Sequence, residues 1–511
     1  MISRTFQIRY QTIAKIILTL SVFSFFGGIF CVYFSPILSF LLGSIFILGL
    51  FLSPLICRSK QWIGYSILFL FGSFLLGGYV IHDEVRDTNI SIESIYSLIG
   101  KNRKINVYVV RMDGGSESKN RIIGELRQVD DISLSHNFLI NINVDKNISP
   151  KPGDIVSSVV KLEIPKNTTE FRYKEFLQAK KIYLSTNIDT FEIVGKNNSF
   201  FSSFTIREYI YKQLRSLYPS NQSGLLAAMI FGDKQGITKE YQTLYQETGI
   251  SHILVVSGSN ITLVLILFSG IFTIFPRRFR IFTTITALLI FVWIVGGGVP
   301  VIRAAIMGVL GYLALQGNQK IDPLILLFLV AFGFGIVMPH EIITDASFYL
   351  SFFATFGMIL FVPFFQKYLT FIPNAIIGLR DTLITTLSAT IATIVVLIVS
   401  FGQFSLYGPI VNILIGPFIA PITIGGIFSL VINEINHFGG ILLAWWVHYG
   451  LNIVLSIAEY AHSMPGNLQN FSLSKYESYL ICIVCFFFFL FVSLLSFIHK
   501  GTLSLGFLKG K

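Results

Sequence analysis

The stretch Glu247-Thr248-Gly249-Ile250-Ser251-His252-Ile253-Leu254-Val255-Val256-Ser257-Gly258-Ser259-Asn260 sets small and polar residues at the mouth of a long apolar run. A chain entering a bilayer normally sheds polar groups, because each unsatisfied one costs several kcal/mol in hydrocarbon. Polar residues kept at such an entry point to a helix end that is buried in protein or lines a wet cavity. A second segment of this kind, Gly296-Gly297-Gly298-Val299-Pro300-Val301-Ile302-Arg303-Ala304-Ala305-Ile306-Met307-Gly308, carries a cation inside it. Together the two segments point to passage through a membrane rather than anchorage in one.

The rest of the chain agrees. Of 511 residues 53% are hydrophobic, 50 are Phe and only 13% are charged, whereas a soluble chain carries about 25% charge. Charge is concentrated between His82 and Thr205, which hold 17 Lys+Arg and 16 Asp+Glu and so form a nearly neutral soluble segment. Cys31, Cys57, Cys482 and Cys485 all lie in or beside apolar runs, so no disulfide framework holds the soluble segment. Cys482 and Cys485, although spaced CxxC, read as small apolar fillers of a Phe-rich span. The first apolar run, from Ile13 to Phe34, exceeds a signal-peptide core and reads as a retained anchor.

A span needs roughly 20 apolar residues, which places spans near 13–34, 36–56, 62–81, 252–275, 281–298, 300–317, 322–339, 346–366, 382–402, 409–431, 439–461 and 478–498. Lys and Arg stay on the cytoplasmic side. All the basic clusters, from Arg4 and Arg9 through Arg277, Arg278 and Arg280 to Lys509 and Lys511, fall on one side if both termini are cytoplasmic. Residues 82–251 are then outside.

The external segment reads as β. Ile105 to Arg111, Arg121 to Val129, Phe138 to Val144, Ile155 to Ile164 and Tyr183 to Thr190 alternate apolar and polar residues between turn signals, with a short helix around Tyr173 to Ala179. Five short strands suit a small closed barrel such as an OB-fold, with a jelly-roll fragment or a sandwich as alternatives. Arg111, Lys161, Arg172, Tyr173 and Lys174 are the candidate nucleic-acid contacts, since aromatics stack bases and cations track phosphates. Alternating aromatics also serve as barrel core, and that reading stands beside the first. From Ile206 to Tyr218 one helical face is apolar, as in a helix lying on a membrane surface, and Thr238 can cap a helix running to Thr248.

Each remaining motif has two readings. Gly232, Asp233 and Lys234 form an exposed turn or line a vestibule. Gly249, Ser251, His252, Ser257, Gly258 and Asn260 fit a helix starting near Thr248, with His252, Ser259 and Asn260 close to one face. Ser257 is not in a GxSxG elbow and lacks a carboxylate–histidine pair, which argues against a membrane serine protease. Arg303, behind three glycines and Pro300, either snorkels to the outer interface or faces a wet path. Gly408-Pro409, Gly416-Pro417 and Pro421 make the surrounding span too broken for a lipid-facing helix, with Asn412 capping or bridging freed backbone groups. Asp322-Pro323 opens a helix as its cap. Ser347, Ser351, Ala354 and Gly357 form a small-residue stripe suited to close helix packing.

These residues resemble the competence domain of ComEC-like DNA-uptake channels. The resemblance is carried by Gly232-Asp233 through Gly258, Val301 through Gly308, Asp322-Pro323, Ser347 through Gly357, and the stretch from Asn412 to Pro417. Glu170 to Leu177 resembles the family's FDYxxYL-like signature. In all, the resemblance runs from about residue 60 to 500. It implies an OB-like external domain and a channel carrying one DNA strand into a bacterial cytoplasm. Asn260 departs from the His of many members. No HxHxDH pattern stands among the eight His, so neither a metal site nor a nuclease is expected, and the other strand is left to a separate nuclease. No GxxxxGK[ST] loop is present, so a cytoplasmic helicase or motor must pull.

The reading is a polytopic α-helical membrane protein of about 12 spans, some broken or re-entrant, with an external OB-like β-barrel. Residues 1–81 are N-terminal spans, 82–205 the external domain, 206–251 interfacial helices, 252–500 the channel and 501–511 a cytoplasmic tail. It is expected in the bacterial cytoplasmic membrane, as a non-enzymatic passage for single-stranded DNA with no cofactor. Its expected partners are membrane lipids, an external DNA receptor, the motor and single-strand-binding proteins. Gly308, Asp322, Ser347, Ser351 and Asn412 join the motif residues along the path, and Arg303→Ala is expected to abolish uptake. A secondary transporter of a small or lipidic substrate, with the β domain as an accessory, is the alternative.

Overall fold

The computed structural model describes residues 21–22, 24–29, 72–82 and 99–471, apart from 116–118, 131, 146–149, 167–173, 175–176, 179–181, 197–202, 235, 320, 340–341, 343–344 and 373–377. Of the expected N-terminal spans, 36–56 lies outside these residues and 13–34 and 62–81 largely so. The last span, the tail 501–511, Arg172 and Tyr173 also lie outside them.

The soluble segment forms β1 (Asn102–Gly115), β2 (Lys119–Val129), β3 (Ile132–Asp145), β4 (Asp154–Lys161), β5 (Ile182–Ile188) and β6 (Glu192–Lys196). They make one sheet in the order β5-β3-β2-β1-β4-β6. Neighbours are antiparallel except β3 and β5, which run parallel. The alternation seen in the sequence becomes the core: Ile105, Val107, Ile122, Leu126, Ile140, Ile142, Val156 and Val160 are buried on one face. The expected closed barrel is instead an open sheet. The β4 residues Asp154 to Ser157 pair with the unforeseen β6. The far end of that edge reaches β5 where Glu163 and Ser185 exchange amide hydrogen bonds of 2.9 and 2.8 Å and the Thr186 hydroxyl donates to the Lys161 carbonyl at 3.0 Å.

The helical part comprises α1 (Ser203–Leu217), α2 (Ser220–Phe231), α3 (Lys239–Glu247), α4 (Gly258–Ile271), α5 (Arg277–Val295), α6 (Val299–Gln316), α7 (Pro323–Val337), α8 (Ala346–Tyr368), α9 (Leu379–Phe401), α10 (Gly408–Ile435) and α11 (His437–Ser463). Two three-residue strands, β7 (Gln403–Ser405) and β8 (Leu468–Asn470), pair beside the end of α9. Among the described residues six helices are long and apolar enough to cross a membrane: α5, α6, α8, α9, α10 and α11. The expected spans at 252–275 and 322–339 are the shorter apolar helices α4 and α7.

Small residues let these helices touch. Gly308 sits against Leu265 and Ile261, which ties α6 to α4, and Gly357 sits against Ala392 and the Ser388 carbonyl, which ties α8 to α9. Near the N-terminus, Gly28 meets the Phe74 backbone and Gly77 the Phe25 backbone, while the Phe25 ring packs on Gly335 and Phe332 of α7. The broken span expected around Gly416, Pro417 and Pro421 is one continuous helix, α10, with both prolines inside it. Tight packing of Gly416 on Thr382 and of Gly426 on Leu226 holds it from outside.

Two helices depart from the sequence reading. The helix α2, unforeseen, has ten buried residues out of twelve and packs with α10 and α11 in the largest core cluster. The helix α1 buries Leu214 and lays Ile210 and Leu217 on that cluster, so its apolar face meets protein rather than lipid alone. It also touches two distant turns. The Arg207 side chain lies against Gly296, between α5 and α6. Tyr209 donates to Glu434 at 2.7 Å, and Asn433 donates to Gln213 at 3.3 Å, both at the end of α10. Five helices, α6 to α10, separate those turns in the chain. Full crossing by all five would put the turns on opposite membrane faces, as the charge pattern expects, yet one short helix touches both.

Candidate functional site

The expected helix from Thr248 through Asn260 is not one helix. The α3 helix starts at the Thr238 cap, whose hydroxyl accepts from the Tyr241 amide, and ends at the buried Thr248, whose hydroxyl donates to the Leu244 carbonyl at 2.6 Å. Gly249 then turns left-handed with φ +73°. Ser251–Leu254 make a single 3-10 turn, Val255 and Ser257 are extended, and α4 begins at Gly258. The run Val255-Val256 explains the break, since adjacent β-branched residues favour extended backbone over helix. His252, Ser259 and Asn260 therefore do not share a helical face.

Each end of this non-helical passage is fixed by packing. At Gly249 a side chain would stand 2.9 Å from the Cα of Gly408, where α10 starts. Beside it, Ser405 accepts from the Gly408 amide at 3.1 Å and donates to Asn467 at 3.0 Å. At the other end Asn260 is buried and donates to the Met229 carbonyl of α2 at 2.8 Å. Gly232, with φ +73°, closes α2 and rests against Val256. Ser257 and Ser259 pair their hydroxyls at 2.6 Å. Gly258 faces Ala304 across 3.7 Å, which brings the start of α4 beside the residue that follows Arg303.

The structure thus joins Gly232, Ser257, Gly258, Asn260 and the Arg303 segment, and it joins Gly249 to α10. His252 is exposed and Ser251 half-buried on the 3-10 turn. Asp233 and Lys234 follow in the turn, where the Lys234 carbonyl accepts from the Ile237 amide. Gly308 serves packing. Asp322 caps α7 by accepting from the Leu324 amide at 3.1 Å, the structural reading of that residue. Ser347 is exposed in the first turn of α8, and Ser351 is half-buried one turn later. Asn412 is not a cap. Ser405 serves the start of α10, and the Asn412 side-chain oxygen has no hydrogen-bond partner.

In the β-sheet domain Lys161, Lys166 and Lys174 share a cleft of about 520 Å³ with Glu163, Ile99 and Pro165. The Lys161 ammonium is 3.5 Å from Glu163. Arg111 belongs to β1. No group of three or more His, Cys, Asp or Glu suited to a metal occurs among the described residues.

Sequence reasoning missed a partly buried polar ring. Gln222 of α2 donates to Asn452 at 2.6 Å, His448 meets Gln222 at 2.7 Å, and Asn452 meets His448 at 3.0 Å. The ring closes with every member satisfied when a neutral His448 carries its proton on Nδ1 and accepts at Nε2. Its signal in the sequence was His448 and Asn452 four apart on an otherwise apolar span, one helical turn that places both on one face.

The family profile described as "Competence protein" matches residues 229–497, just over half of the chain. The match begins at Met229, the acceptor for Asn260, and takes in the whole broken passage and α4 to α11. Two relatives support it. ComE operon protein 3 of Bacillus subtilis (strain 168) is 27% identical over 312 residues, which cover 58% of this chain and 38% of the relative. An uncharacterized protein of Aquifex aeolicus (strain VF5) is 26% identical over 212 residues, which cover 38% of this chain and 50% of the relative. The chain therefore spans half or less of the length of these relatives. No solved structure matches. A multi-pass helical bundle, a β-sheet domain and a profile match over the broken passage agree: this chain belongs to the competence protein family.

Proposed function

We propose that this protein carries a single strand of DNA through the bacterial cytoplasmic membrane during DNA uptake, as a channel without enzymatic activity of its own. The observation that carries the reading is the non-helical passage from Gly249 to Ser257 inside a bundle of apolar helices. Irregular backbone is tolerated at membrane depth only where it is buried in protein or lines a watery path. Here it lies within the segment that matches the competence family.

The β-sheet domain would guide the strand from an external receptor toward Gly232 and Asn260. A cytoplasmic helicase or motor would pull, single-strand-binding proteins would receive the strand, and a separate nuclease would remove its complement. Both termini would be cytoplasmic, in a chain with about 12 apolar segments in the membrane.

The test is import of fluorescent DNA in cells lacking the gene, complemented with wild type or with Asn260→Leu. The expected result is DNA held outside in the deletion strain, entry with wild type, and none with the variant. Undiminished import in the deletion strain would overturn the reading in favour of a small-substrate transporter.

A further inference from the structure

Arg303 is 5% exposed, and its Nε and Nη1 have no hydrogen-bond partner among the described residues. No ion pair within 4.0 Å joins it to an acidic side chain among the described residues. At 100° per residue Arg303 shares the face of α6 that carries Val299 and Met307, not the face of Val301 and Ala304 that meets α4. Val299 and Met307 pack with Ile302 against Phe334 of α7 and Phe348 of α8, an apolar cluster. Burying an unpaired guanidinium there is strongly unfavourable, and ordinary packing gives no reason to retain it.

We infer that Arg303 is kept unpaired to hold one phosphodiester of the passing strand, an inference that rests on the channel reading above. Charge selects the ligand. One cation among apolar side chains is neutralised by the single negative charge of a phosphodiester, whereas a phosphate monoester brings about −1.5 to −2 and leaves the site anionic. The planar guanidinium offers two parallel N–H donors to two phosphate oxygens. Val299, Ile302, Met307, Phe334 and Phe348 carry no hydrogen-bonding side-chain groups, so this part of the lining adds no base reading. A single contact also releases easily, so the strand can advance one phosphate at a time.

The test uses the full chain in phosphatidylcholine nanodiscs and a fluorescent 20-nucleotide single strand with either a phosphodiester or an uncharged methylphosphonate backbone. Wild type should bind the first and not the second. Arg303→Gln should bind about tenfold more weakly, with a salt-dependence slope smaller by about 0.7, the contribution of one phosphate in single-stranded DNA. Arg303→Lys, which keeps the charge but not the fork, should fall between them and decides the matter if the Gln variant does not fold. Unchanged affinity and slope in Arg303→Gln, with wild type still binding, would overturn this inference and leave the channel reading intact. Absence of binding by wild type, together with DNA entry in cells lacking the gene, would remove both. Competition by phosphatidylglycerol that vanishes in Arg303→Gln, with DNA binding unchanged, would assign the residue to a lipid headgroup instead.

Discussion

Asn260, three residues into α4, donates its side-chain amide to the backbone carbonyl of Met229, at the end of α2, across 2.8 Å of buried space. That bond closes the gap between two helices that the chain itself joins only through Gly232 to Ser257. Leaving a buried acceptor unmet costs about 1–3 kcal/mol. Asn260→Leu is therefore expected to lower the thermal midpoint of the purified protein and to abolish DNA entry. An unchanged midpoint would show that the bond does not hold the passage.

Gly249 is both left-handed and pressed on Gly408. Gly378 has a similar φ of +70° and nothing within 4 Å of an added side chain, so it serves as the control. An L-residue in that conformation costs about 1–2 kcal/mol from strain alone. Gly378→Ala should lose about that much, and Gly249→Ala distinctly more, as read from thermal unfolding of both variants side by side. Equal losses would remove the contact with α10 from the account.

The Gln222–His448–Asn452 ring should behave as a unit. In a double-mutant cycle, Gln222→Leu and Asn452→Leu should each destabilise, while the pair together costs less than the sum. The expected coupling is about 0.5–3 kcal/mol in equilibrium unfolding. Additive losses would mean that α2 and α11 are joined by packing alone.

The β domain touches α1 through Lys151, whose ammonium is 2.8 Å from Glu208. The Glu208 carboxylate raises the Lys151 pKa above the ordinary lysine value. A raised pKa means the contribution is complete at neutral pH and fades only as pH climbs through the folded value. Both side chains are well exposed, so the pair is worth less than about 1 kcal/mol and is screened by salt. Protease cleavage between domain and helix should therefore quicken when salt rises from about 0.05 to about 0.5 M, and not between neutral pH and pH 9. Lys151→Glu should abolish the salt effect, and adding Glu208→Lys should restore it.

Because α1 touches both the α5–α6 turn and the end of α10, cysteines placed at Gly297 and Asn436 should react with a membrane-impermeant maleimide from the same face. Labelling from opposite faces would restore strict alternation and overturn the simultaneous contact of α1 with both turns.

Much of this was legible in the sequence. Every expected strand formed, because Ile105, Val107 and Val109 or Ile140, Ile142 and Val144 alternate without ambiguity. Among the described residues, the apolar runs from 281 to 461 became helices close to their expected bounds, and Thr238 marked its helix. The misses share a cause: they depend on what lies next to a segment. Glu192 to Lys196 is too short to show a period, and becomes a strand only because β4 offers it an edge. The α2 helix is buried nearly all round and so has no amphipathic face to read. The prolines of α10 predict a break when read locally, and neighbours packed along the helix keep it continuous. At the site, the sequence marked Gly249 to Asn260 as a run of small and polar residues but could not foresee Met229 as the partner of Asn260, since their meeting depends on the turn between α2 and α3.

The two prolines inside α10 have a mechanical meaning. Neither Pro417 nor Pro421 has an amide hydrogen to give to the carbonyls of Ile413 and Pro417 four residues earlier. Two rungs of that helix are therefore missing, and a change of angle there breaks fewer amide hydrogen bonds than in an uninterrupted helix. One half of α10 packs its start against Gly249, and the other half carries the contacts to Tyr209 and Gln213. The helix is thus weakened at its middle, between the end pressed on Gly249 and the end held by Tyr209 and Gln213.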